Sequence, residues 1–220
     1  MYFSVGNMDY WYELYGDGVP IVLLHGFTGS GETWKNFIST SSAGFEFITI
    51  DLPGHGKTKP HVLKTMDECI DDLHQLFKEL NRSKFILVGY SMGGRTALSY
   101  AAKYPEMLAG LVLESASPGL SEESARIKRR NQDEKLAKKI EEEGIQEFVN
   151  YWENIPLFET QKRLREEIQS KIRAERLAQS VTGLANSLRG MGTGSQRSNW
   201  EQLETLSIPV LLLAGELDPK

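Results

Sequence analysis

The segment Phe85-Ile86-Leu87-Val88-Gly89-Tyr90-Ser91-Met92-Gly93-Gly94 constrains this chain more than any other. Its four leading apolar residues show no polar alternation, so they read as a strand buried on both faces. Glycines on either side of Ser91 let the strand reverse sharply into a helix, where a side chain would collide with the bend. Such a turn lifts the Ser91 hydroxyl over the edge of a sheet, in position to act as a nucleophile. A glycine-rich helix cap with an idle serine is the plainer alternative, and the preceding strand argues against it.

The remaining sequence supplies the sheet that this bend requires. Apolar runs at residues 21–24, 45–50, 111–113 and 210–213 resemble the one before Gly89, and read as parallel strands covered on both faces. The aromatic-rich stretch 8–15, closed by Gly16-Asp17-Gly18, reads as a strand and turn forming an antiparallel edge. Met66, Ile70, Leu73, Phe77 and Leu80 follow helical spacing and make one apolar stripe, a crossover helix with Asn81 near its end. Another helix is predicted from Met92 to about Lys103, stopped by Tyr104-Pro105. Alternating strands and helices imply an α/β class with a mostly parallel sheet and helices on both faces.

Between residues 118 and 205 the strand signal gives way to Glu, Lys, Arg and Gln with helical periodicity. Ile145, Phe148, Val149, Trp152 and Ile155 fall on one side of such a helix, a side wide enough to cover something. The expected organisation is a core over 1–117, an inserted helical cap over 118–205, and a last strand with an acid loop over 206–220. A cap belongs above the carboxyl ends of the strands, where open α/β sheets bind ligands. Gly190-Met191-Gly192-Thr193-Gly194-Ser195 lacks both a preceding strand and phosphate-loop spacing, and reads as a bend in that cap.

Loops following the strands should emerge beside Ser91. His25-Gly26-Phe27-Thr28-Gly29 is one of them, and the backbone amides of Phe27 and Met92 are expected to converge on a developing oxyanion. Each such donor is worth roughly 3 to 4 kcal/mol in a water-poor site. His25 is either structural or a substrate contact. Asp51-Leu52-Pro53-Gly54-His55-Gly56 reads as a tight turn held by Asp51, while His61 and His74 read as surface residues.

A triad in the order serine, acid, histidine places its acid after a later strand, which selects Asp218, with Glu216 as the fallback. The four histidines stand at 25, 55, 61 and 74, all before Ser91. The expectation is therefore that the chain lacks a C-terminal segment with the general base, one more strand and a helix. Alone it should show little activity, and an unpaired sheet edge should make it self-associate.

Bulk properties exclude several classes. A net charge of -5 offers no basic field for nucleic acid, and no apolar run is long enough to span a bilayer. Cys69 is the only cysteine, so no internal disulfide forms, and with no export signal a cytoplasmic location is expected. Its place in a helical pattern makes Cys69 a packing residue.

The elbow and its surroundings resemble the α/β-hydrolase fold, and the likeness goes further. Gly-Tyr-Ser-Met-Gly-Gly-Arg at 89–95, Leu-Glu-Ser-Ala-Ser-Pro-Gly-Leu at 113–120, Tyr-Trp-Glu-Asn-Ile-Pro-Leu-Phe at 151–158 and Gly-Leu-Ala-Asn-Ser-Leu-Arg-Gly-Met-Gly-Thr-Gly at 183–194 resemble a particular family. It is the 2-succinyl-6-hydroxy-2,4-cyclohexadiene-1-carboxylate synthases of menaquinone biosynthesis, called MenH. The resemblance implies a lyase that eliminates pyruvate from a small polycarboxylate, with no metal or organic cofactor. It implies Ser91 and Asp218 as triad members and Tyr90, Arg95, Arg129, Trp152 and Arg173 as substrate-binding residues. A substrate rich in carboxylates would be repelled by an acidic protein unless cations gathered locally, and Arg95 lies one helical turn after Ser91. Arg126, Arg129 and Arg130 share a helix face, with Arg126 and Arg130 read as solvated. Rival readings are a serine hydrolase of esters or carbon–carbon bonds, and a non-catalytic binding protein on the same fold.

Overall fold

The computed structural model of the protein describes residues 1–41 and 43–216. Its strands are β1 (Tyr2–Val5), β2 (Met8–Gly16), β3 (Val19–Leu24), β4 (Phe45–Ile50), β5 (Phe85–Tyr90), β6 (Leu108–Glu114) and β7 (Val210–Leu213). They form one seven-stranded sheet in the order β1-β2-β4-β3-β5-β6-β7. From β4 across to β7 every neighbouring pair is parallel, while β2 runs antiparallel to both β4 and β1. The antiparallel edge expected at residues 8–15 thus lies one strand further out. A two-residue turn at Gly6-Asn7, with Gly6 at φ 57°, folds β1 back on β2 and makes β1 the edge.

Three helices serve the sheet: α1 (Lys35–Thr40), α2 (Met66–Glu79) and α3 (Met92–Lys103). In α2 the start is fixed by a capping box, Glu68 N–H donating to the Thr65 hydroxyl while the Glu68 carboxylate accepts from Thr65 N–H. Its predicted stripe is buried through Met66, Ile70, Leu73 and Phe77, and the helix ends at Leu80 with Asn81 in the left-handed region. These side chains join Val22, Leu24, Ile48, Ile50, Leu87 and the inner residues of α3 in one apolar core, and Cys69 is buried within it. Each large apolar side chain so buried contributes roughly 1.5–3 kcal/mol.

Two histidines correct the expectation of surface positions. His61 and His74 are half-buried, and the His74 ring stacks on Tyr104 with centroids 3.8 Å apart. β7 departs in the opposite direction. Its four apolar residues are 43–71% exposed, and among the described strands it pairs with β6 alone.

Between β6 and β7 the chain is helical: α4 (Glu123–Trp152), α5 (Glu166–Leu177) and α6 (Val181–Met191). α4 is two helices across a break at Gly144, whose φ of 80° and ψ of 174° are not helical. A second apolar cluster, including Ile140, Phe148, Val149, Leu184 and Leu188, binds α4 to α6. The apolar side predicted through Ile155 ends earlier, since α4 stops at Trp152 and Ile155 precedes the short helix Pro156–Arg163. Of the bend expected over 190–195, Gly190 and Met191 instead close α6, and residues 192–195 form the bend. α6 starts behind Ser180, which caps Gly183 N–H. That first turn rests against the loop after β4: a Cβ on Gly183 would strike the Gly54 carbonyl, and one on Gly54 the Gly183 carbonyl.

Candidate active site

Ser91 joins β5 to α3 with φ 52° and ψ -106°, a conformation that costs a residue with a Cβ about 1–3 kcal/mol. The neighbouring chain over-determines it. Ser91 N–H donates to the Glu114 carbonyl at 2.9 Å, and the Ser91 carbonyl accepts from Arg95 N–H at 3.0 Å. A Cβ on Gly89 would strike the Gly93 carbonyl, and one on Gly93 would strike the Leu24 carbonyl on β3. The sharp reversal therefore requires glycine on both sides of the serine.

The loop after β3 runs alongside. Its fixing points are two buried imidazoles: His25 Nε2 accepts from Leu52 N–H at 2.9 Å, and His55 Nε2 accepts from Thr28 N–H at 3.3 Å. Their Nδ1 atoms lie 2.8 Å from the Gly26 carbonyl and 3.1 Å from the Pro53 carbonyl, so each ring is neutral with its proton on Nδ1. Burial lowers both pKa values, that of His55 to about 3. His25 is thus a scaffold residue outside the cavity wall, and its substrate-contact option is not what the geometry provides. Asp51 holds its turn as expected, accepting from Gly31 N–H at 2.7 Å and Lys57 N–H at 2.8 Å.

Ser91 opens onto a cavity of about 1170 Å³ between the sheet edge and the helical segment. Phe27, Tyr90 and Met92 line it, and Met92 is the first residue of α3, where backbone N–H groups point out of a helix. Trp152 lines it from above, edge-on to Phe27 with ring centroids 5.6 Å apart. Arg95 and Arg129 line one wall. Arg95 is half-buried and donates to the Met191 carbonyl at 2.9 Å and to Gln196 Oε1. Loss of water lowers its pKa to about 10, and the nearby Arg129 charge adds to this. Arg129 Nε donates to Asp133 at 2.8 Å. Burial raises the Asp133 pKa, against the pull of Arg129 and Arg95.

A family model for the α/β-hydrolase fold matches residues 19–220. A Bacillus subtilis protein provisionally named 2-succinyl-6-hydroxy-2,4-cyclohexadiene-1-carboxylate synthase is 47% identical over 91% of this chain and 74% of its own. The solved structure of MenH from S. aureus superimposes with a TM-score of 0.89 at 39% identity, covering 93% of this chain and 79% of that one. The chain belongs to the α/β-hydrolase family, in its synthase branch. An esterase from Thermogutta terrifontis, solved with malate bound, is also similar, with a TM-score of 0.78 at 31% identity over 95% of this chain and 75% of that one.

Within that frame, the site residues expected from the sequence divide. Tyr90, Ser91, Met92, Phe27, Arg95, Arg129 and Trp152 meet at one cavity. Arg173 does not. Its guanidinium binds Glu153 and, at 2.7 Å, Asn150, and it lines an adjoining outer cleft of about 390 Å³ that shares Phe158, Gln161, Ile172 and Arg176 with the cavity. Arg126 and Arg130 both pair with Glu123 away from the cavity. Glu216 is exposed in the turn after β7, and Asp218 lies outside the described residues.

Two residues of α5 were missed. Arg176, three positions after Arg173, is buried and lines the cavity. Glu175 reaches across to the loop after β3, where its Oε1 accepts from Ser30 N–H at 2.7 Å and from the Ser30 and Thr33 hydroxyls at 2.8 Å each. The spacing from Arg173 to Arg176 could have suggested the first. A contact spanning 145 residues leaves no local signal for the second.

Proposed function

We propose that this protein is a carbon–oxygen lyase that eliminates pyruvate from 2-succinyl-5-enolpyruvyl-6-hydroxy-3-cyclohexene-1-carboxylate, giving 2-succinyl-6-hydroxy-2,4-cyclohexadiene-1-carboxylate. The observation that carries this reading is that Ser91 shares one cavity with Arg95 and Arg129 in a protein of net charge -5. The likeness to MenH supports it. Residues 118–205 act as the cap, and the enzyme works in the cytoplasm without a cofactor, on a small polycarboxylate and not on nucleic acid.

Substrate and product fix which bonds change. The ring proton beside the succinyl ketone leaves to the Ser91 oxygen. Its electron pair forms a new ring double bond, the existing double bond moves along the ring, and the bond to the enolpyruvyl oxygen breaks. Pyruvate departs as its enolate and takes up a proton. Negative charge builds on the ketone oxygen as the proton leaves, and the amides of Phe27 and Met92 receive it. Arg95 and Arg129 hold carboxylates, Tyr90 and Trp152 wall the ring, and Arg173 joins them only if the cap rearranges.

For Ser91 to accept the ring proton it must first lose its own, and in a triad that proton goes to a histidine oriented by an acid, here Asp218. Neither His25 nor His55 takes this part, since backbone N–H groups already occupy their Nε2 lone pairs. The test is pyruvate release, coupled to lactate dehydrogenase, by the protein read from its coding frame through any residues that follow Lys220. Release abolished by Ser91→Ala is the expected result. Fast cleavage of nitrophenyl esters with no pyruvate overturns it in favour of a hydrolase, the reading favoured by the likeness to the Thermogutta esterase. Tight substrate binding with no turnover of either compound marks a binding protein.

A further inference from the structure

The loop after β3 carries an unfavourable turn where the chemistry needs accuracy. Gly29 N–H donates to the Gly26 carbonyl at 3.0 Å, so Phe27 and Thr28 are the central residues of a tight turn. Thr28 takes φ 69° there, a left-handed conformation that favours glycine and that a β-branched residue rarely adopts. A residue stays in such a conformation only when the surrounding structure holds it there.

Part of that hold comes from the sheet half. Thr28 N–H donates to His55 Nε2 at 3.3 Å, and Gly31 N–H donates to Asp51 at 2.7 Å. The rest comes from α5. Glu175 Oε1 accepts from Ser30 N–H at 2.7 Å and from the Ser30 and Thr33 hydroxyls at 2.8 Å each. Hydrogen bonds to an ionised oxygen are short and strong, and here three of them converge two to five residues after the strained threonine. Just past the end of α5, buried Gln179 repeats the contact: its Oε1 accepts from Gly56 N–H at 3.0 Å, next to His55, and its Nε2 donates to the Glu175 carbonyl at 3.2 Å. One end of α5 therefore grips both loops that fix Thr28.

We propose that Glu175 is a positioning residue: from the helical segment, it holds the turn that aims the Phe27 amide at the developing oxyanion. This rests on the lyase reading, in which negative charge builds on the ketone oxygen. An amide stabilises that charge only from about 3 Å away, and a misplacement of about 1 Å can cost on the order of a hundredfold in rate. Without the Glu175 carboxylate, Thr28 returns to negative φ and the turn carrying the Phe27 amide opens. Glu175 also lines the cavity, so the wall that meets the substrate and the loop that meets the oxyanion are fixed to each other.

The test is pyruvate release by the protein read through any residues that follow Lys220, assayed well below the melting temperature of each variant. Glu175→Ala should lower kcat about thirtyfold or more and change KM by no more than about threefold, because the lost stabilisation is confined to the transition state. Glu175→Gln keeps an acceptor oxygen without the charge and should retain kcat to within about fivefold. NMR coupling constants should put Thr28 at positive φ in the wild type and the glutamine variant, and at negative φ in the alanine variant. Should the alanine variant not fold, Ser30→Ala combined with Thr33→Val removes two of the three donors and should lower kcat about fivefold, again with KM kept. An alanine variant with a lower melting temperature but unchanged kcat, or with Thr28 still at positive φ, overturns the positioning role. A glutamine variant as slow as the alanine variant overturns it too, since the charge itself would then be what the reaction uses. A wild-type protein that cleaves nitrophenyl esters and releases no pyruvate overturns the lyase reading alone. The same kcat ratios are then read on the ester, whose oxyanion the same amide serves, and the Thr28 angle decides whichever chemistry the wild type performs.

Discussion

The sheet half and the helical half of this molecule hold their functional groups by different means. Around Ser91 the constraints are backbone: carbonyls of Leu24, Gly93 and Glu114 and two glycines leave the serine one conformation. In the helical segment the constraints are side chains. Arg129 leans on Asp133, Arg173 on Glu153, and Arg189 on Glu134 and Glu141, about a smaller apolar cluster. The contrast teaches a division of labour. The position of the reacting hydroxyl follows from the fold and is indifferent to most substitutions, whereas the charges that select a substrate can change one residue at a time.

The largest effect should come from the sheet half. Gly93→Val drives a side chain into the Leu24 carbonyl and should cost about 3 kcal/mol or more, read as lost soluble protein or a lowered denaturation midpoint. A variant that melts like the wild type would break the comparison, because the elbow would then be held by something other than backbone.

Glu175 is where the halves meet, and its effect should be intermediate. Glu175→Ala strips three donors of their acceptor, one of them the buried Ser30 amide, at a cost of about 1–3 kcal/mol. Faster hydrogen exchange at Ser30 than at the amides of β5 would sharpen the picture by assigning the loss to the joint. Uniform acceleration would mean that the two halves unfold as one.

The smallest change belongs to the periphery. Arg189 joins Glu134 at 2.8 Å and Glu141 at 2.6 Å, both with their carboxylates largely in solvent. Arg189→Ala should shift the melting temperature too little to separate from replicate scatter, since exposed ion pairs are screened and entropically costly. A clear drop would show that this network carries the helical segment after all.

What the sequence disclosed follows the same division. The elbow was legible because its glycines answer a local steric demand, and α2 because its stripe and its Thr65 cap lie within one short window. β1 was also within reach, since Gly6-Asn7 is a hairpin signal, but the four residues before it are too few to show alternation. Long-range facts stayed hidden. Nothing near His74 announces the Tyr104 ring that covers it, and nothing near residues 210–213 separates a covered strand from an exposed one. Arg176 sits in a run of Glu, Lys and Arg where only the tertiary fold decides which charge turns inward.

The seat of α6 on the loop after β4 has a bearing on how a ligand enters. Where Gly54 and Gly183 touch, main chain lies directly on main chain, with the Ser187 side chain beside it. A Cβ on Gly190 would likewise strike the Lys64 carbonyl, and Asn186 donates to the His61 carbonyl at 2.8 Å, so α6 is seated along its length at a fixed depth above the strands. The distance between floor and ceiling of the chamber would then be the same for every guest.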